Sequence, residues 1–286
     1  MWKFAKSSSA KLSSTAFEDS CDVSGKNGKI RSQSEATVRV SDVSSVTENS
    51  TPSESPVDPV LLLGESLAQK SMVRMQHYLM LNGLKDRDCC EMTWILQVSK
   101  PNMHVFTSVM RNSIWNAIKA VTVVKATLKN LLNLLLADAR MGEYDEMFDR
   151  HEPIHVSSCA NLRRVMYKGV WPTTPRDFII CTTHEVQPDG SVLIATISAP
   201  DSLSPMNKDY VRGNVQISGY HIQPYSTEHS VSLDGIKPIS SGECKVTLVA
   251  HTELGGSLPA SIINCLSTNA PVKILSQIAE IMKRTP

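Results

Sequence analysis

The octet Trp171-Pro172-Thr173-Thr174-Pro175-Arg176-Asp177-Phe178 guides the interpretation of the whole sequence. Two prolines bracket two threonines, so the backbone is held extended and cannot continue as a helix. Trp171 follows Gly169 closely, and the apolar run Phe178-Ile179-Ile180-Cys181 ends the stretch. The octet therefore predicts a turn that presents an aromatic ring and then enters a β-strand.

Short segments typical of strands lie on both sides of this turn. They span residues 93–98, 104–109, 114–124, 154–157, 161–168, 177–186, 191–198, 210–224 and 243–254. Pro188-Asp189-Gly190 predicts a hairpin between two of them.

Helical patterns frame the strands. An apolar face predicts a first helix from about Pro59 to the Asn82-Gly83 stop, and a short helix follows Thr127 as N-cap. A last helix is expected from about Pro259 to Lys283, with Pro271 kinking it. This order predicts an α+β fold, in which a curved antiparallel sheet packs against the C-terminal helix.

Residues 1–57 differ from the rest, because 15 serines fall within the first 56 residues and no apolar periodicity is present. Such a segment cannot bury enough apolar surface to offset its chain entropy, so we expect a disordered tail before a domain at 58–286. Lys3, Lys6 and Lys11, together with Trp2 and Phe4, leave a mitochondrial presequence as the alternative to a plain flexible tail.

Composition limits the classes of function. The net charge of +1 predicts no nucleic-acid binding, and the longest apolar run, near residues 131–137, is too short to span a bilayer. Seven scattered cysteines without a secretory signal favour a reduced, cytoplasmic protein. His151 and His155 are separated by Pro153, which argues against a helical metal site, and no catalytic or cofactor motif is found. We therefore expect neither an enzyme, nor a cofactor, nor a metal.

The octet resembles the W-P-x-x-P-R-D-F signature of START domains, the lipid-carrying modules related to the steroidogenic acute regulatory protein. Three further stretches resemble the same family in the same order: Gly142–Asp145, Tyr210–Gly213 and Gly255–Asn264. The resemblance implies a helix-grip fold with a tunnel for one lipid. The double glycine is more similar to the ceramide and phosphatidylcholine transfer proteins than to the sterol carriers.

The resemblance also implies which residues face the lipid. They are Asp145, Arg163, Val165, Tyr167, Thr196, Ile263 and Leu266. The sterol carriers' acid–arginine pair falls on Arg163 and Thr182, and the ceramide carrier's amides fall on Val165 and Thr196. Glycerophospholipid is therefore expected ahead of ceramide, and ceramide ahead of sterol.

The ranking of the three lipids depends mostly on Arg163. If it faces the tunnel, its buried guanidinium must be paired, either with Asp145 or with a lipid phosphate. The alternative is a solvated arginine near the rim. Arg176 and Asp177 are interpreted as a structural ion pair.

Membrane contact is expected at Trp171 and Pro172, and a gate at Gly255, Gly256 and Ser257. The implied function is the transfer of one lipid by a monomer that binds a membrane surface transiently. The alternative is a lipid-sensing or scaffolding module without net transfer.

Overall fold

The fold is built on one large sheet that is antiparallel except for one short strand. The structure is a computed structural model that describes residues 58–80, 93–110, 113–169, 173–225, 242–258 and 260–285, without the side chains of residues 80 and 260–268. Within these ranges the strands are β1 (Ile95–Lys100), β2 (Met103–Ser108), β3 (Ala117–Val124), β4 (Phe148–Val156), β5 (Asn161–Tyr167), β6 (Arg176–Val186), β7 (Val192–Ser198), β8 (Val211–Arg212), β9 (Asn214–Pro224) and β10 (Cys244–Glu253). The helices are α1 (Pro59–Met80), α2 (Leu128–Leu135), α3 (Met141–Tyr144) and α4 (Ala260–Arg284).

The strand order is β1-β2-β3-β10-β9-β7-β6-β5-β4, and β8 pairs in parallel with β6. The sheet is open, with β1 and β4 at its edges. All described residues belong to one compact unit, Glu54–Pro286.

The two faces of the sheet are covered by different helices, because alternate side chains of a strand point to opposite faces. On one face, here called the inner face, Val246 and Leu248 of β10 join a buried cluster with Leu275 and Ile278 of α4. Helix α2 adds Leu131 to the same cluster. The inner face is therefore the side on which any internal ligand would lie against α4.

Helix α1 covers the opposite face, here called the outer face. Met75 and Tyr78 of α1 pack with Leu193 of β7 and Val249 of β10. Ala68 of α1 lies in a second cluster over β5 and β6. None of the helices in the described ranges combines the length and the apolar character needed to cross a membrane.

Several local predictions are confirmed. Thr127 caps α2 by accepting a hydrogen bond from the Asn130 amide at 3.2 Å. The β6–β7 hairpin turns at Gly190, whose φ of +78° suits glycine, and Asp189 Oδ1 accepts from the Ser191 amide at 2.9 Å. Pro271 lies inside α4 as expected.

Two strands differ from the prediction. Strand β4 begins at Phe148 and continues through Pro153, which an edge strand tolerates because it has unpaired backbone positions and bulges. The single strand expected at 210–224 is divided at Gly213 into β8 and β9. A Cβ at Gly213 would lie 2.2 Å from Phe178 Cε1, so this glycine lets the chain pass close to the β6 aromatic ring.

Candidate ligand-binding site

The inner face carries a row of polar side chains across its central strands. Thr182 of β6 and Thr196 of β7 are register partners, and their hydroxyl oxygens lie 2.8 Å apart. Thr196 is in turn paired with Ser218 of β9, and Ile194 with Tyr220. An inner face with this much polarity is poorly suited to be only a packed core.

Arg163 is the charged residue of this face. Its register partner is Ile180, and it is 6% exposed, so the solvated alternative is wrong. Its Nε lies 3.4 Å from Asp138 Oδ1, at an angle that does not make a hydrogen bond, and both Nε and Nη1 are buried without an acceptor in the described structure. A buried guanidinium that leaves two of its donor nitrogens without an acceptor is costly.

The acid nearest to Arg163 is Asp138. Asp145, which the sequence predicted as one of two candidate partners, does not form this ion pair in the described structure. Asp138 lies in the 3₁₀ turn Asp138–Arg140 and accepts a hydrogen bond from Asn161 Nδ2 at 2.8 Å through its other oxygen. Asp138 is therefore shared, and it neutralises Arg163 only in part.

Asp145 ends helix α3 and is partly buried. Burial raises the pKa of its carboxyl group, although Oδ1 accepts a hydrogen bond from the Met147 amide at 3.0 Å. Its negative charge raises the pKa of the hydroxyls of Tyr144, Tyr167 and Tyr220, after burial as the main cause. Asp145 is thus brought to the same region as three tyrosines.

Tyr167 and Tyr220 are desolvated side chains that the protein covers only in part. Burial raises the pKa of both hydroxyls, which places them away from bulk water, yet neither side chain is fully covered by protein atoms. Tyr167 is held edge-on to Phe178, with ring centroids 5.6 Å apart and an interplanar angle of 88°. Uncovered surface on a desolvated side chain is what a ligand cavity provides.

The other predicted lipid contacts fall into three groups. Thr196 lies on the inner face, as expected, but Val165 is fully buried in a cluster with Phe178 and Ile180 and supports the site through packing. The side chains of Ile263 and Leu266 on α4 lie outside the described residues, as do Trp171 and Pro172.

Tyr144, Tyr220 and Asp138 were not predicted as site residues. Tyr220 lies on the same face of β9 as Ser218 and Ile222, because side chains two residues apart in a strand point the same way. This two-residue period is visible in the sequence. The closeness of Tyr220 to Asp145 depends on how α3 lies over the sheet, which strand periodicity does not reveal.

The predicted gate is a tight turn packed against β8. Gly255 and Gly256 have φ angles of +65° and +64°, and Ser257 is exposed. A Cβ at Gly255 would lie 2.5 Å from the Arg212 carbonyl oxygen, so both the close approach and the φ angle require glycine.

Arg176 connects this turn to Thr174, which lies just before β6. Its Nε donates to the Leu254 carbonyl at 3.3 Å, and its Nη1 donates to the Thr174 carbonyl. Burial lowers the pKa of Arg176, which is 8% exposed. The expected Arg176–Asp177 ion pair is therefore wrong, because successive residues of β6 point to opposite faces.

Asp177 is paired with two other arginines on the outer face. Its Oδ2 accepts from Arg164 Nε at 2.8 Å, and its Oδ1 accepts from Arg212 Nε at 2.9 Å. Burial alone would raise the pKa of Asp177, but the hydrogen bonds and charges of Arg212 and Arg164 hold it below its usual value. These contacts join β5, β6 and β8 beneath the gate.

Comparison with known proteins settles the family. The sequence profile of the START domain matches residues 76–285. This chain belongs to the START domain family. Human StAR-related lipid transfer protein 5 superimposes on it with a TM-score of 0.64 at 15% identity, covering 78% of this chain and 98% of that protein. Human STARD10 gives 0.60 at 19% identity, covering 76% and 80%.

A bacterial relative is also similar to this START domain in sequence. An uncharacterized protein of Pseudomonas aeruginosa is 24% identical over 193 residues, which cover 64% of this chain and 83% of that protein. The open antiparallel sheet with a C-terminal helix is the helix-grip fold of the family, as the sequence predicted.

Proposed function

We propose that this START domain holds one glycerophospholipid between the inner face and α4 and transfers it between membranes. Lipid binding in general follows from membership of a family of lipid-transfer domains. The choice of a phospholipid depends on one observation, the buried guanidinium of Arg163 with two donor nitrogens, Nε and Nη1, that lack an acceptor.

A phosphodiester supplies hydrogen-bond acceptors to Arg163 better than a ceramide or a sterol does. Arginine presents N–H groups in a planar fork that matches two oxygens of one phosphate. A sterol hydroxyl has a single oxygen and would leave most of these donors unused. Asp138 already offsets part of the arginine charge, so a ligand with one negative charge suffices.

The remaining parts of the ligand suit the surrounding residues. Tyr167 and Tyr220 offer hydroxyl groups to ester or glycerol oxygens, and the apolar residues of the inner face offer surface to acyl chains. Burying a CH₂ group contributes about 0.8 kcal/mol. Because a bilayer offers the same chain similar stabilisation, exchange is near balance and desorption is the slow step.

No covalent chemistry is needed for this function, and we propose that the protein is not an enzyme. Burial raises the pKa of the Cys181 and Cys244 thiols to about 11, so both remain protonated and unreactive at neutral pH.

A transfer assay tests the proposal. Purified full-length protein would be mixed with donor vesicles that contain a fluorescent phosphatidylcholine, ceramide or sterol, and with unlabelled acceptor vesicles. We expect phosphatidylcholine to move fastest and sterol slowest. Fastest transfer of sterol would refute the phospholipid assignment, whereas binding of any lipid without transfer would favour a lipid sensor.

Trp171 is proposed as the membrane contact of the gate region, since an indole ring suits the interface between headgroups and acyl chains. Trp171→Ala should reduce vesicle binding and transfer several-fold while binding of detergent-solubilised lipid is unchanged. Trp115→Phe is a suitable control, because Trp115 is 7% exposed and belongs to the interior. Loss of folding in Trp171→Ala would identify Trp171 as a core residue instead.

A further inference from the structure

A groove of about 650 Å³ lies on the outer face, on the opposite side of the sheet from α4. Gln76 and Leu79 of α1 form one wall, and the β6–β7 hairpin at Gln187–Asp189 forms another. Ser191 of the same hairpin also lines the groove, and the remaining lining residues belong to five strands: Phe106, Lys119, Val121, Leu193, His221, Gln223, Lys245 and Thr247. Its volume is in the range of sites that hold small molecules.

The strand register explains why these residues share a face. Lys119 is paired with Val249, which packs under α1, and Val121 is paired with Thr247. Leu193 is paired with His221 across β7 and β9. The groove therefore belongs to the side covered by α1 and is separate from the lipid site described above.

One part of the groove is apolar and aromatic. Lys119 Nζ lies 4.5 Å from the centroid of the Trp94 ring and 5.4 Å from that of Phe106. Val121, Leu193 and Leu79 line the adjacent surface. A ring or a short acyl chain would find apolar contacts here, next to a positive charge.

The groove lining carries two ammonium groups, those of Lys119 and Lys245. Within the part of the chain that the structure describes, neither Lys119 nor Lys245 forms a salt bridge. Burial lowers the pKa of Lys119, and the charge of Lys245 lowers it further, so the two ammonium groups repel each other.

The one carboxylate in the lining is already occupied. Asp189 Oδ1 accepts from Ser191 Oγ at 2.6 Å, and Ser191 Oγ lies 3.0 Å from His221 Nε2. Because Ser191 gives its proton to Asp189, His221 must donate through Nε2. Asp189 is therefore hydrogen-bonded to Ser191, and it forms no salt bridge with Lys119 or Lys245 in the described structure.

We propose that this groove is a second binding site, which takes a phosphate monoester carrying an apolar group. Two ammonium groups without a salt-bridge partner among the described residues offer positive charge to a phosphate monoester, and the adjacent Phe106, Val121 and Leu193 offer apolar contacts to its body. A ligand of this chemistry could be a single-chain lipid phosphate or a soluble aromatic phosphate.

Calorimetric titration of the full chain tests the proposal with two probes, decyl phosphate and 1-naphthyl phosphate. Lys119→Met with Lys245→Met should weaken binding of the preferred probe at least about tenfold. Tighter binding of decyl phosphate would identify the lipid source, and tighter binding of 1-naphthyl phosphate the soluble one. The neutral probes decanol and 1-naphthol should bind much more weakly at this site.

Two control variants make the result decisive. Lys125→Met with Lys129→Met removes the same charge from exposed positions outside the groove and should leave affinity unchanged. Arg163→Leu removes the phosphate contact proposed for the inner face, so it tests whether the probes bind at the lipid site instead of the groove; binding at the groove should persist in this variant. The groove variant should melt no lower than the wild type, since it relieves a repulsion. The proposal is overturned if the groove variant binds as tightly as the wild type, if Arg163→Leu alone abolishes binding, or if neither phosphate binds.

Discussion

Asp177 and Arg163 are buried charges on neighbouring strands, but on opposite faces of the sheet. Asp177, 1% exposed, accepts hydrogen bonds from two arginines. Arg163, 6% exposed, faces a single shared acid at 3.4 Å and leaves two donor nitrogens without an acceptor.

This difference separates a charge that stabilises the fold from a charge that is available to bind a ligand. Where partners are complete, as at Asp177, the protein has satisfied the charge itself and the site holds strands together. Where partners are incomplete, as at Arg163, the cost of burial remains until a ligand supplies the missing acceptor. Asp177 lies in the octet that resembles the START signature and Arg163 lies outside the matching motifs, but neither position shows in the sequence alone which partners its side chain meets.

The largest effect is expected when the complete cluster is broken. Asp177→Asn leaves Arg164 and Arg212 without their buried carboxylate and should lower the free energy of unfolding by about 3–5 kcal/mol. Urea unfolding followed by circular dichroism measures this loss. Asp201→Asn is the matched control, because Asp201 binds the same Arg212 from a side chain that is 63% exposed. Equal losses in the two variants would show that Asp177 is not a structural centre.

A smaller effect is expected at Arg176, which precedes Asp177 but is bonded to backbone carbonyls. Arg176→Met removes the hydrogen bonds to Leu254 and Thr174 and should cost about 1–2 kcal/mol. A double-mutant cycle with Asp177→Asn should show little coupling between the two positions. Coupling above about 1 kcal/mol would restore the ion pair expected from the sequence.

Acidification should lower the stability of the fold through a buried histidine, His251, before it affects Asp177. Tyr78 Oη lies 2.9 Å from His251 Nδ1, and burial lowers the pKa of His251. The unfolded chain therefore binds more protons below its pKa of about 6.5, and stability falls as the pH drops below that value. The lowered pKa of Asp177 acts in a separate window, below an unfolded pKa of about 3.9.

Calorimetric melting from about pH 7.5 to pH 5 checks this order. His251→Gln should flatten the decline in melting temperature. His221→Gln should flatten it as well, because burial also lowers the pKa of His221. A melting temperature that stays constant over this range would contradict the assignment of buried neutral histidines.

The sequence predicted the fold well because its signals are local. The Asp189-Gly190 hairpin and the Thr127 cap each depend on a few adjacent residues. The site was predicted less completely, because it depends on how distant elements meet. Alternation placed Arg163 and Val165 on one face correctly, but whether each side chain packs or borders a space follows from α3 and the opposing strands. The position of Asp138 beside Arg163 has no signature in sequence spacing.

Binding of phosphatidylcholine to Arg163→Leu, measured together with the unfolding free energy of this variant, tests the central claim most directly. We expect affinity for the phospholipid to fall by more than about 1.5 kcal/mol, while the ligand-free protein stays as stable as the wild type or becomes more stable. Unchanged phospholipid affinity, with tight binding of a fluorescent sterol by the wild type, would contradict the account and reverse the order of lipids.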